Sequence, residues 1–388
     1  MATMLLTTDS GLESVLVEEL RELVPGLRVR RVYSGRVIVD VPRGYEYRAL
    51  LSRIVNHVYL LLEVFDGVET LDDVYRCVAS IDFSGIIRLD ESFAVRPERV
   101  GEHSFTSIDI GRVSGQAIVD QFLSAFGARP RVDLENPDIE VYVELNWDRL
   151  FVGLQLTRVS LHRRGYRVFN HPASLKSTIA SAMLRLVGWR PVEGKGVLDP
   201  MCGGGTVVIE AALAAKGIYP VCMRREALNR VVCERVLGLD IDEVLAPLCQ
   251  CGDAGHRGFV GIELNPLFLE GAVLNAHSAG VSDSTLFLLG DCRELIGLVK
   301  GLERELGAEI VYAVFNPPYG VRMRRRNLVE LYRGVLTKLV DEGFEGVCFI
   351  TSAIHVAELV LDELGLCECR KLYTMHGTLP SYIYVIEL

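Results

Sequence analysis

VLDPMCGGGTVVIEAALAAKG, residues 197–217, starts as an apolar strand, turns at Gly203, Gly204 and Gly205, and runs on into an apolar helix. Glycines at such a turn let backbone approach a ligand closely, and the helix N-terminus behind them favours polar or anionic groups. The spacing is not the G-x-G-x-x-G of dinucleotide binding, and no Lys-Ser/Thr pair follows as in a P-loop. A ligand without a pyrophosphate is therefore the better fit. Working outward, a helix is expected over 177–187 and short apolar strands over 196–200, 259–264, 285–290, 312–317 and 346–352, with helical segments between them. Buried strands alternating with helices indicate an α/β, doubly wound parallel sheet covered on both faces. The closing pair RKLYTMH (370–376) and SYIYVIEL (381–388) reads as a hairpin that adds an antiparallel edge.

Upstream the pattern differs. Residues 4–40 read as strand, helix, strand, with Leu12, Val15, Leu16, Leu20 and Leu23 on one helical face and Pro25-Gly26 closing it. Residues 45–157 continue as an α+β region. A helix over 111–127 carries Ile118, Phe122 and Phe126. The strand after it alternates Ile139, Val141, Val143 and Leu145 with Glu140, Tyr142 and Glu144, which predicts one buried and one solvated face. The stretch 158–175 has turn and basic character and reads as a linker.

Charge is informative through its distribution. The chain of 388 residues carries a formal −10, which does not announce a nucleic-acid binder. Yet no Asp or Glu occurs from Arg149 to Val192, a stretch holding Arg158, Arg163, Arg164 and Arg167, nor from Ile310 to Val329, which holds Arg322, Arg324, Arg325 and Arg326. A third basic run, Arg28 to Arg36, reads as solvated surface. Local basic tracts on an acidic body suit a protein that grips phosphates at chosen places, and Arg163, Arg164, Arg167, Arg322, Arg324 and Arg325 are the RNA-contacting candidates. The start MATMLLTTDS lacks the basic opening and small-residue cleavage site of a secretory signal, and no apolar run reaches 18 residues. A cytoplasmic protein without a membrane span is expected.

Three acids stand at successive strand ends. Asp199 is placed to order the glycine loop, Glu263 in GIELNP to accept both hydroxyls of a ribose, and Asp291 to accept from an adenine amino group; each could instead cap a helix. The series suits an adenosine-bearing ligand. Cys202 and Cys292 sit at these loops as small packing residues, Cys292 among the ligand-lining set. YAVFNPPYG (312–320) then runs a strand into Asn316-Pro317-Pro318-Tyr319. Two prolines remove two donors and stiffen the turn, so that the Asn316 side-chain oxygen and the Pro317 carbonyl can face one spot. Two acceptors there would hold the hydrogens of an exocyclic amino group and turn its lone pair toward an electrophile. Tyr319 offers a ring face to an unstacked base.

The segments 196–213, 259–265, 289–292 and 316–320 resemble the motifs of class I, Rossmann-fold amino-methyltransferases. The stretches 93–118, 136–157 and 161–167 resemble a THUMP domain and its exit, and 171–186 resembles the helix that precedes the glycine strand in the same enzymes. The group most alike is the THUMP-containing tRNA guanine-N2 methyltransferases that modify position 6 of the acceptor stem. This resemblance implies a ferredoxin-like region (1–44), a THUMP domain (45–157), a linker (158–175) and a Rossmann-like methyltransferase domain with a mixed seven-stranded sheet (176–388). It implies S-adenosylmethionine as cofactor, surrounded at its methionine end by Gly203 to Gly205 and the segment from His171 to Lys176. It implies tRNA as partner of a monomer, with Asn316, Pro317 and Tyr319 at the guanine. Methylation at position 10 or elsewhere in RNA, a DNA adenine-N6 or cytosine-N4 methyltransferase, and a non-catalytic RNA-binding module remain the alternatives. Residues 216–259 depart from the pattern: the stretch is long and carries Cys222, Cys233, Cys249, Cys251 and His256. A cysteine-rich structural insertion fits it better than zinc, since paired C-x-x-C knuckles are missing; no metal site is expected.

Overall fold

A computed structural model describes residues 1–191, 194–255, 257–320 and 325–388. Two sheets organise the chain. The first is built from β1 (Ala2–Thr7), β2 (Arg28–Tyr33), β3 (Arg36–Val41), β4 (His57–Asp66), β5 (Ser92–Val100), β6 (Arg131–Val132), β7 (Ile139–Asn146) and β8 (Arg149–Gln155). Their order is β2-β3-β1-β4-β8-β7-β5-β6, so one continuous eight-stranded sheet runs through the whole N-terminal region. β4 joins its two parts, pairing antiparallel with β1 on one side and β8 on the other.

The expected split of β7 into a buried and a solvated face is not what forms. Glu140, Tyr142 and Glu144 are as buried as their apolar neighbours. The second face carries a polar layer: Arg36 pairs with Glu144, Arg96 Nε donates to Glu140 at 2.7 Å, and Tyr142 donates to Glu144 at 2.7 Å while stacking on Tyr59. Strand alternation tells which side chains share a face, and charge complementarity lets the polar face be covered as well.

The second sheet comprises β9 (Lys195–Asp199), β10 (Phe259–Glu263), β11 (Thr285–Leu289), β12 (Glu309–Phe315), β13 (Gly346–Thr351), β14 (Arg370–His376) and β15 (Leu379–Glu387). The order is β11-β10-β9-β12-β13-β15-β14. The first five are parallel, and β15 alone runs against them, pairing antiparallel with β13 on one side and β14 on the other, which gives the mixed seven-stranded sheet of a Rossmann-like domain with its terminal hairpin at the edge. From β9 the chain winds one way through β10 and β11, then returns to lay β12 on the other side of β9. That reversal opens a crevice beyond the carboxyl ends of β9 and β12, where doubly wound sheets bind ligands.

The connecting stretch 158–175 is packed rather than free. Leu161, Tyr166 and Leu175 are buried, and Arg164 forms an ion pair with Glu210 on the helix Thr206–Ala215. Further ties cross between the two sheets' layers: Arg53 donates to Ile218 O at 2.7 Å, and Asp9 accepts from Lys176 at 2.6 Å and from Thr178 at 2.9 Å. In the insertion, Cys222 and Cys249 form a disulfide. His256 lies outside the described residues, and no group of described side chains is arranged to hold a metal ion. No described helix is long and apolar enough to cross a membrane.

Candidate active site

The glycine turn after β9 needs its glycines for two reasons. Gly205 caps the helix Thr206–Ala215 from the left-handed region, at φ 79°, and a Cβ there would meet Ala272 and Phe287 at 3.2 Å. Gly203, at φ 51°, lies against the His171 ring, which a Cβ would approach to 3.3 Å. Glu263, at the end of β10, ties the turn down. Its Oε2 accepts the Gly203 N–H at 3.0 Å and its Oε1 accepts the Asn265 N–H at 2.8 Å. Each oxygen keeps further acceptor capacity, and Glu263 lines the cavity.

Asp199 closes β9 with a carboxyl only 3 % exposed. Its one hydrogen bond among the described residues comes from the Met201 N–H at 3.1 Å. Burial, with the Glu263 charge adding to it, pushes its pKa up to about 8. Asp291 is both a helix cap and an ion-pair partner: Oδ1 accepts the Arg293 N–H at 2.9 Å, and its carboxylate pairs with the Arg293 guanidinium. Arg293 holds its pKa below the usual carboxylate range. Cys202 and Cys292 are buried free thiols; burial pushes Cys292 up to about 12, which leaves both inert as packing groups.

These groups line one cavity of about 620 Å³, together with Asn316, Pro317 and Tyr319. Every ligand-contacting and catalytic residue expected from the sequence is in its wall except Gly205, which stands just behind. His171, Ala173, Ser174 and Leu175 supply another wall, whereas Lys176 turns away to Asp9. The donor set fits S-adenosylmethionine. Glu263 offers acceptors for ribose hydroxyls, and a buried Asp199 without a counter-ion suits a cationic end. Phe268, packed edge-on against His171 at 4.3 Å, adds an aromatic wall that sequence reasoning missed. It lies five residues past Glu263, where nothing separates it from an ordinary helix residue.

At the end of β12, Asn316 Nδ2 donates to Ala173 O at 3.3 Å, which fixes the side-chain amide, and Tyr332 donates to Pro318 O at 3.1 Å, which braces the turn. The Pro317 carbonyl accepts no hydrogen bond among the described residues, so it is available to a ligand. Asn316 Oδ1 is engaged: Tyr319 donates its hydroxyl to it at 2.5 Å. The same hydroxyl lies 2.9 Å from His376 Nδ1. His376, a lone histidine on the terminal hairpin, carried no signal in the sequence.

The arginine candidates divide. Arg163 is exposed and Arg325, opening the helix Arg325–Asp341, is exposed. Arg164 is corrected: it is 2 % exposed, bonded to Glu210, Leu161 O and Arg53 O, and cannot reach RNA. Arg167 is half-buried, and its Nη2 donates to Leu175 O and to Thr206 at 3.1 Å, which ties that end of the guanidinium to the methyltransferase domain. An acid-free run looks like a phosphate grip, but here the compensating Glu210 comes from far along the chain. Arg322 and Arg324 lie outside the described residues.

Residues 164–382 match the RMKL-like methyltransferase domain family, and residues 68–155 match the THUMP domain. The tRNA (guanine(6)-N2)-methyltransferase of Archaeoglobus fulgidus is 34 % identical over 98 % of this chain and 95 % of its own length. The enzyme of the same name from Methanocaldococcus jannaschii is 35 % identical over 98 % and 99 %. Among solved structures, a possible methylase from Clostridium difficile 630 superposes with a TM-score of 0.80 over 100 % of this chain and 98 % of that one, at 21 % identity, a likeness of fold.

Proposed function

The chain belongs to the RMKL-like methyltransferase family and carries a THUMP domain, and on that premise we propose that it methylates the exocyclic N2 of a guanine in tRNA, at position 6 of the acceptor stem. One observation carries the reading: the Asn316-Pro317-Pro318-Tyr319 turn opens onto the same cavity as the glycine loop and Glu263. The names of the two archaeal relatives support the target nucleotide.

S-adenosylmethionine, when bound, supplies the electrophilic methyl group. The chain's own residues do the rest by holding and aiming. Glu263 takes the ribose hydroxyls through charge-assisted hydrogen bonds. Asp199 would face the cationic end, and Asp291 would serve the adenine. At the target, Asn316 Oδ1 and the Pro317 carbonyl accept the two N–H groups of the guanine amine. With both hydrogens held, the nitrogen would be more pyramidal with its lone pair toward the methyl group; the nitrogen–carbon bond would form as the carbon–sulfur bond breaks, one of the two held protons would pass to solvent, and the barrier would fall through orientation and electrostatics with no covalent bond to the protein. Tyr319 gives the unstacked guanine a ring to lie on. Arg163, exposed on the connection between the sheets, and Arg325, opening the helix that follows the catalytic turn, meet phosphates, and the same role is proposed for Arg322 and Arg324.

The division of labour follows the chain: residues 1–44 and the THUMP domain, 45–157, take the RNA, the 158–175 connection sets the distance, and 176–388 carry the chemistry. A monomer acting in the cytoplasm is part of the same proposal. The test is a tRNA transcript with inosine in place of guanine 6, which removes only the exocyclic amine. Labelled methyl should enter the guanine transcript and be absent from the inosine one; equal incorporation would contradict the assignment.

A further inference from the structure

The Tyr319 hydroxyl has one proton and two acceptors within reach, and the proposed reaction needs one of those acceptors for itself. Asn316 Oδ1 receives the Tyr319 hydroxyl at 2.5 Å, yet this oxygen is the one meant for the guanine amine. The second neighbour is His376 Nδ1, at 2.9 Å. His376 sits at the end of β14, its ring edge-on to Tyr319, and its other nitrogen, Nε2, faces Ser174 O at 3.4 Å. A carbonyl oxygen can only accept, so Ser174 favours a proton on Nε2. A neutral imidazole with its proton on Nε2 presents a bare lone pair at Nδ1, directed at the Tyr319 hydroxyl.

Resting on the function proposed above, we infer that His376 is a positioning residue for methyl transfer: its Nδ1 takes over the Tyr319 hydroxyl proton as a hydrogen-bond acceptor, and this frees Asn316 Oδ1 for the target amine. No bond other than hydrogen bonds changes in this exchange. Before the base arrives, the tyrosine gives a partner to an acceptor that would otherwise stand open in the cavity wall, where an unmet polar atom is costly, and its hydroxyl then competes with the incoming amine for that oxygen. When the amine approaches Oδ1, the hydroxyl rotates to Nδ1, so that the amine meets Oδ1 and the hydroxyl meets Nδ1.

The exchange demands a neutral His376, because an imidazolium has a proton on both nitrogens and can only donate to Tyr319. The hydroxyl would then be driven back onto Asn316 Oδ1. Burial already holds the His376 pKa below the ordinary histidine value, opposed by the contact to Ser174 O. The charged groups that face it are Lys176, which lowers the pKa further, and Asp9, which raises it; they are paired with each other at 2.6 Å and largely offset. Tyr319 is the titratable group in direct contact, and burial pushes its own pKa up, so it stays a hydroxyl. The device therefore works at neutral pH and fails as the pH drops through the His376 pKa.

The test has one arm that does not depend on activity. Long-range proton–nitrogen spectra of the full-length protein, with the signal assigned by its absence in His376→Phe, should show the Nε2–H tautomer, with an Nδ1 shift that moves in Tyr319→Phe. A His376 protonated on Nδ1 would overturn the inference. The second arm is a double-mutant cycle on tRNA methylation at saturating cofactor. Loss of one well-placed hydrogen bond should lower kcat of His376→Phe about tenfold, with KM for tRNA changed by less than about threefold. In Tyr319→Phe no hydroxyl competes for Asn316, so adding His376→Phe should cost nothing more. His376→Asn, whose carbonyl reaches the Nδ1 position, should restore much of the rate and remove the acid limb of the kcat–pH profile. Losses that multiply across the cycle, or an acid limb that survives in His376→Asn, would refute the role. Wild type that gives the expected tautomer but transfers no methyl to tRNA would instead count against the proposed function.

Discussion

Asp199 offers a quantitative handle, because its environment opposes the charge that binding would require. The carboxyl is buried at the end of β9, accepts one N–H, and has its pKa raised to about 8. The sign follows from proton binding. An unfolded chain releases this proton near pH 4, whereas the native state keeps it until about pH 8. Native stability therefore falls as pH rises through that window and levels off above it. Each pH unit inside the window costs ~1.4 kcal/mol, so the full penalty at pH 8 is on the order of 5 kcal/mol. Asp199→Asn keeps an acceptor for the Met201 N–H and cannot ionise. The substitution should thus change stability little at pH 4.5 and stabilise the protein by several kcal/mol at pH 8. Urea unfolding followed by the fluorescence of Trp189, buried against Phe259, reads the methyltransferase domain when measured in a Trp147→Phe background, since Trp147 is the chain's other tryptophan. A stability difference that is flat with pH, or that grows toward acid, would refute the reasoning. The same substitution should weaken S-adenosylmethionine binding, since it removes the anion that a cationic ligand would recruit.

Other outcomes follow from the cavity wall. Asn316→Ala should retain cofactor binding by calorimetry while lowering kcat about a hundredfold, since an acceptor used in the transition state is lost. Glu263→Ala should weaken S-adenosylmethionine binding by about tenfold or more, for it removes ribose acceptors and also releases the Gly203 N–H. Tyr319→Ala should cost more activity than Tyr319→Phe, because the ring face is lost as well as the hydroxyl. RNA affinity should fall with salt, and Arg163→Ala with Arg325→Ala should make the slope of log K against log salt shallower by about one for each phosphate contact removed. Arg164→Ala should act through stability, by leaving Glu210 buried and unpaired.

How much of this was legible in the chain can be judged element by element. The strand-glycine-helix at 197–217 and the run into Asn316 are local signals whose meaning survives folding, and they located the catalytic domain and its crevice. Glu263 and Asp199 were legible because strand ends in such sheets converge on one place. Asp291 was legible only as one of two roles, and the structure shows its cap and its pair with Arg293. What escaped depended on partners distant in sequence. The basic stretch before residue 176 looked like an RNA grip because Glu210, which neutralises Arg164, lies 46 residues away. His376 is brought to Tyr319 by the terminal hairpin across a separation of 57 residues. The continuous eight-stranded sheet likewise depends on β4 pairing with both β1 and β8, a choice that strand periodicity cannot encode.

The central claim is tested most directly by incubating the protein with labelled S-adenosylmethionine and an unmodified tRNA transcript, then digesting the RNA and mapping the labelled nucleoside. The account predicts N2-methylguanosine at position 6 of the acceptor stem, absent with Asn316→Ala. Label found on a base in DNA or ribosomal RNA but not in tRNA, or on a tRNA nucleoside other than N2-methylguanosine, would contradict it.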